Sequence, residues 1–210
     1  MRWSPGRRVA RALILPLLVV AACGDAQEAA PDTTLGGAVR VPALQVGAAS
    51  LPDVAHGGAP MAMEAPEGEL LLVYFGYTSC PDVCPTTMND VRVALEALPQ
   101  ALAARVSLAM VTVDPDRDTG AVLTAYLRSF FDDPHALRTD DPEALAATAE
   151  TFTVQWEIEA HEAGEPYAVA HTATTFVVDD SGTVVVEWPF GFEPEAMTAD
   201  LTTLLQQEAR

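Results

Sequence analysis

Apolar residues fall along this chain in two alternating rhythms. Leu70 to Phe75 is a continuous run of leucine, valine and aromatics, which reads as a buried strand. Beyond it Met88, Val91, Leu95 and Leu98 recur at helical spacing, predicting a helix from about Cys84 to Leu98 that Pro99 closes. Arg105 to Val113 predicts a second strand, with Val106, Leu108, Met110 and Thr112 on one side. Val122, Leu123, Tyr126 and Leu127 predict a helix over 119–131. After a break at Asp132-Asp133-Pro134-His135, another helix is expected from Asp141 or Pro142 to Glu150, with the proline in its first turn. Thr153 to Glu159 alternates as a half-buried strand, and two further strands at 174–178 and 183–186 flank the turn Asp179-Asp180-Ser181-Gly182. A last helix, Glu193 to about Gln206, carries Met197, Leu201, Leu204 and Leu205 as its stripe. This order predicts an α/β fold, a central mixed sheet flanked by helices. Upstream, Leu51 to Met63 reads as a hairpin turning at Gly57-Gly58.

Residues 1–40 follow neither rhythm. Arg2, Arg7, Arg8 and Arg11 precede the apolar run Ala12–Ala22, which ends at Cys23-Gly24. A basic start and a short apolar run form an export signal, and the run is too short to span a membrane. Val20-Ala21-Ala22-Cys23 resembles the bacterial lipoprotein signal. The expectation is a signal peptide over 1–22, lipidation of Cys23 and anchoring on the periplasmic or extracytoplasmic side of a membrane. Residues 23–40, rich in Ala, Asp, Gly, Pro and Thr, then form a flexible tether to a single domain over 41–210. The chain has no lysine, and 11 arginines face 30 acidic residues for a net charge of -19, which excludes nucleic acid as a partner.

The remaining cysteines, Cys80 and Cys84, sit four residues apart where the first strand gives way to the first helix. One helical turn puts two such sulfurs on one face, where they can close a disulfide or hold a soft metal ion. Amides at a helix start favour the thiolate. Asp114-Pro115-Asp116-Arg117-Asp118-Thr119 follows the second strand, and loops at the carboxyl ends of parallel strands are where open α/β folds place their sites. Its carboxylates can equally cap the next helix. Of the histidines, His56, His135 and His161 read as solvent-exposed. His171 precedes a core strand, and spacing alone leaves open whether it meets the cysteines.

The block Tyr74-Phe75-Gly76-Tyr77-Thr78-Ser79-Cys80-Pro81-Asp82-Val83-Cys84-Pro85-Thr86, followed by Val113–Thr119 and then by His171-Thr172, closely resembles the Sco/SenC family from about Leu70 to the C-terminus. Those are thioredoxin-like copper proteins that help assemble the dinuclear copper centre of cytochrome c oxidase. The resemblance implies that Cys80, Cys84 and His171 ligate copper, Cu(I) or Cu(II), with Asp82, Asp114, Asp118 and Arg117 in supporting positions. It implies a metallochaperone more than an enzyme. Its partners are then the copper-bearing oxidase subunit, a copper donor protein and a thiol-reducing protein. The alternative is a thiol–disulfide oxidoreductase that uses Cys80 and Cys84 as a redox pair to reduce the oxidase cysteines. Against general thioredoxin-like work, the cysteines are separated by three residues, and His171-Thr172 stands where a thioredoxin-like proline is expected.

Overall fold

The apolar run after Glu69 forms the strand on which the rest of the domain is laid. The computed structural model of the chain describes residues 1–2, 34–162 and 164–207. The expected signal peptide beyond Arg2, Cys23 and the tether as far as residue 33 lie outside the described residues. The chain divides between Asp32 and Thr33, and the described strands and helices belong to the second unit. In order they are β1 (Ser50–Pro52), a 3-10 turn (Val54–His56), β2 (Pro60–Ala62), β3 (Leu70–Gly76), α1 (Val83–Ala97), α2 (Gln100–Ala103), β4 (Val106–Thr112), α3 (Gly120–Arg128), β5 (His135–Leu137), α4 (Pro142–Thr151), β6 (Trp156–Ile158), β7 (Val169–His171), β8 (Thr174–Val178), β9 (Val184–Pro189) and α5 (Pro194–Gln207). No helix among the described residues is long and apolar enough to cross a membrane.

Five strands make the central sheet in the order β5-β4-β3-β8-β9. β3 runs parallel to β4 and antiparallel to β8, and β4 runs parallel to β5, so the sheet is mixed as the element order predicted. All seven residues of β3 are buried, which explains its unbroken apolar sequence. Each large side chain buried there contributes about 1.5–3 kcal/mol. β9 alternates instead, with Val184, Val186 and Trp188 inward. The apolar stripe of α5 is buried as expected. The buried Asp200 of that helix accepts from Trp188 Nε1 at 2.9 Å and from the backbone N–H groups of Gly36 and Gly37 at 2.6 and 3.0 Å. Ala38 bridges Glu187 of β9. The domain's hydrogen bonding thus reaches back into the stretch expected as tether.

The expected hairpin at Leu51–Met63 is present as β1 and β2, with Gly57 and Gly58 both at positive φ, a conformation that costs glycine little. Two departures have a tertiary cause. The Asp132–His135 break leads directly into β5, whose three residues are too few to show a period. The alternating stretch at 153–159 contributes β6 to a separate two-stranded sheet with β7 instead of joining the main one. Thr153, at φ 57°, turns the chain out of α4 toward it.

Candidate metal centre

Cys80 lies in the turn leaving β3, and Cys84 is the second residue of α1. Gly76, the last residue of β3, lets the start of α1 pack closely against the strand end. A methyl group added there would lie 2.6 Å from Tyr74 Cε1, 3.0 Å from Cys84 Sγ and 3.1 Å from Met110 Cε. The Cys84 N–H donates to Cys80 Sγ at 3.3 Å, so the first sulfur takes up one of the amides left unpaired at the helix start. Asp82 precedes α1 but makes no cap with its side chain, which only accepts from the Thr86 hydroxyl at 3.4 Å. Asp82 is exposed, and its backbone, at φ -146° and ψ -66°, lies outside the extended conformation usual for a capping residue.

The acidic loop after β4 lies where expected, beside the cysteine turn, and it works in two directions. Asp118 is fully buried and accepts from Thr78 N–H at 3.0 Å, from the Thr78 hydroxyl at 2.5 Å and from the Thr112 hydroxyl at 2.6 Å. It therefore holds the cysteine turn against the end of β4. The cap of α3 falls to the Thr119 hydroxyl, since Asp118 is engaged elsewhere. Asp114, also fully buried, pairs with Arg117 and accepts from Tyr167 Oη at 2.8 Å. Arg117 donates to the Tyr167 carbonyl at 2.9 Å and stacks on the Tyr167 ring, 3.6 Å from its centroid. Tyr167 leads into β7, at whose end stands His171. One loop thus secures both the turn bearing the sulfurs and the hairpin bearing the imidazole.

These attachments bring His171 to Cys84. Its Nε2 lies 3.4 Å from Cys84 Sγ, and its Nδ1 lies 3.2 Å from the Thr172 carbonyl. A carbonyl only accepts, so Nδ1 carries the proton and Nε2 faces the sulfur. Burial lowers the His171 pKa and favours that neutral ring. Ligand atoms of Cys80, Cys84 and His171 all lie within 4.8 Å of one another. Both cysteines are free thiols. The spacing-based expectation that the helix start favours thiolate fails at Cys84: burial pushes its pKa up to about 12, outweighing the amides. A metal binding there displaces that proton.

Sequence reasoning passed over the aromatic wall of this site. Tyr74 Oη donates to Cys84 Sγ at 3.7 Å, and Tyr74 and Tyr77 meet the His171 ring edge-on at 5.9 and 5.8 Å. The place of Tyr74 in the apolar run, with Tyr77 just beyond it, hid them. A surface groove of about 340 Å3 opens between Cys80, Val83, Val169 and His171, so the centre faces solvent on one side. No fourth His, Cys, Asp or Glu joins the three among the described residues. Of the other histidines, His161 is exposed and stacks on Tyr167 at 3.8 Å. His56 is exposed but lies between two carboxylates, and His135, expected in solvent, is half-buried with Nδ1 2.7 Å from Asp53.

The family model described as SCO1/SenC matches residues 52–206. A SCO2-like protein of Rickettsia prowazekii is 31% identical over 115 residues, 55% of this chain and 56% of that protein. The chain spans about half the length of the curated relatives it matches first. Among solved structures, the apo Sco1 protein of Thermus thermophilus is 32% identical with a TM-score of 0.67, covering 85% of this chain and 99% of that one. The copper-bound ScoI of Bradyrhizobium japonicum is 30% identical with a TM-score of 0.62, covering 80% and 98%. The α/β architecture is the thioredoxin-like one of these neighbours.

Proposed function

This chain belongs to the SCO1/SenC family, and from that premise we propose that it binds copper and delivers it to, or prepares, the dinuclear copper centre of cytochrome c oxidase. The observation that carries the reading is the convergence of two sulfurs and one imidazole nitrogen within 4.8 Å beside an open groove. Two thiolates and an imidazole are a soft donor set, suited to Cu(I) and acceptable to Cu(II). Three protein ligands leave a position for a partner's incoming ligand, which a carrier requires, whereas structural zinc wants a closed set of four. Cys80, Cys84 and His171 are the ligands in this reading, with Asp114, Arg117 and Asp118 positioning them and Asp82 offered to a partner. The receiving partner is the copper-bearing oxidase subunit, and a copper donor protein and a thiol reductant supply the metal and the reduced pair.

Residues 1–22 act as the export signal, Cys23 as the lipidation site and the segment after it as the tether of an extracytoplasmic domain whose hydrogen bonding reaches back to Gly36. Mass measurement of the mature N-terminal peptide tests this, and an unmodified Cys23 ends the anchor.

A second reading, specific thiol–disulfide reduction, draws on the unequal exposure of the pair. Cys80 is 9% exposed at the groove and Cys84 is wholly buried, so one sulfur can attack a partner disulfide and the other resolve it. Replacing His171 by Ala separates the readings. Copper retention is expected to fall at least tenfold while the Cys80–Cys84 disulfide still forms. Copper affinity unchanged in that variant, measured by anaerobic competition, refutes the ligand set.

A further inference from the structure

A second group of ligand-type side chains stands on elements the copper reading leaves unused. Asp53 follows β1, His56 ends the 3-10 turn and His135 opens β5, and their ligand atoms lie within 4.8 Å of one another. Asp53 Oδ2 is 2.7 Å from Nδ1 of His56 and 2.7 Å from Nδ1 of His135. Its other oxygen, Oδ1, accepts from the backbone N–H groups of Ala55 and Ala136, both at 3.1 Å. The carboxylate is thus aimed from outside the group, and it is buried while both rings remain reachable from solvent. Behind His56, Nε2 lies 2.9 Å from Asp133.

We propose that Asp53, His56 and His135 form a second metal site, for a divalent ion of the zinc type, with Asp53 Oδ2 and the two Nδ1 atoms as ligands and water completing the shell. One carboxylate oxygen and two imidazole nitrogens suit Zn(II) or Cu(II) and have no thiolate to favour Cu(I), whereas the thiolate centre favours Cu(I), so the two sites differ in the ion each prefers. Ligands around a tetrahedral ion at about 2.0–2.1 Å stand about 3.3 Å apart, and opening the present 2.7 Å contacts asks only for a small outward turn of the rings. The Asp133 carboxylate on Nε2 supplies what metal-bound imidazoles ordinarily carry, an acceptor that fixes the tautomer with Nδ1 free to ligate. Without the ion, both nitrogens of His56 face carboxylates and both carry protons. Binding releases the His56 Nδ1 proton to solvent while its Nε2–H stays on Asp133. His135, whose Nδ1 donates to the same Asp53 oxygen at 2.7 Å, gives up that proton and keeps a neutral ring with its proton on Nε2. The strongly acidic chain favours cation capture generally. The ion ties the β1–β2 hairpin to β5 at the Asp53–Leu137 bridge.

A purely hydrogen-bonded staple would use the same contacts, and zinc separates the two. The full chain with Cys23, Cys80 and Cys84 replaced by Ser is titrated with Zn(II) while the imidazole nitrogens are followed by NMR. One equivalent is expected to bind and to shift Nδ1 of both His56 and His135, leaving Nε2 of His56 protonated and the His161 ring unmoved. The wild-type chain, oxidised at Cys80 and Cys84 and alkylated at Cys23, is expected to show the same two shifts, which guards against a folding defect in the triple variant. Asp133→Asn, on an exposed side chain, is expected to weaken zinc about tenfold, and His135→Gln more strongly. Failure of both preparations to bind one equivalent, or binding that leaves either Nδ1 in place, overturns the site.

Discussion

Asp118 and Thr78 are 40 residues apart in sequence, yet the Asp118 carboxylate takes both the Thr78 backbone N–H, at 3.0 Å, and the Thr78 hydroxyl, at 2.5 Å. Thr78 is two residues before Cys80, so the position of the first sulfur is set from β4 as much as from β3. Bonds to a buried charge are worth about 1.5–3 kcal/mol, and removing the acceptor strands its donors. Asp118→Ala is expected to cost about 3 kcal/mol in urea unfolding and to weaken copper binding as the turn loosens. A variant with unchanged midpoint and unchanged copper affinity contradicts this positioning role.

Gly76 leaves no room for a side chain between Tyr74, Cys84 and Met110. Gly76→Ala is expected to destabilise the domain by about 1–3 kcal/mol through overpacking. Because the intruding methyl meets Cys84 Sγ at 3.0 Å, copper affinity falls too. Thermal unfolding and copper competition on one preparation check both effects, and a silent substitution shows that the close approach is not tight.

The two thiols differ in access and in chemistry. Cys80 lies at the groove, whereas Cys84 is buried with its pKa pushed up to about 12 by that burial. Brief alkylation of the reduced apo-protein near pH 8 is expected to label Cys80 first, since only the thiolate reacts and Cys84 supplies almost none. Peptide mapping against time reads the order. Equal labelling rates, or Cys84 first, contradict the assignment.

Arg117 joins the loop after β4 to the β6–β7 hairpin through Asp114, the Tyr167 carbonyl and the Tyr167 ring. A planar guanidinium does all three at once, and an ammonium cannot. Arg117→Lys is therefore expected to speed hydrogen exchange at Val169 and Thr172 by about tenfold, the effect of about 1.4 kcal/mol lost locally. Copper affinity falls while disulfide formation between Cys80 and Cys84 is kept. Unaltered exchange in the hairpin indicates that other contacts hold His171.

The legible parts of this protein were those governed by neighbours in sequence. An unbroken apolar run implied β3, since a strand covered on both faces has no polar side to show. The i, i+4 cysteines at its end implied two sulfurs on one side of a helix start, and Asp179–Gly182 announced the β8–β9 turn. What remained hidden depended on partners far along the chain. His171 reaches Cys84 across 87 positions only because Asp114, Arg117 and Tyr167 carry its hairpin to the cysteine turn. Tyr74 looked like core until its hydroxyl proved to face Cys84, and β5 was too short to show a period. His135 looked solvated until β4 paired with β5 and set it against Asp53. Local steric preference and periodic burial are written in adjacent residues, whereas a ligand set closes only when sheet order brings distant loops together.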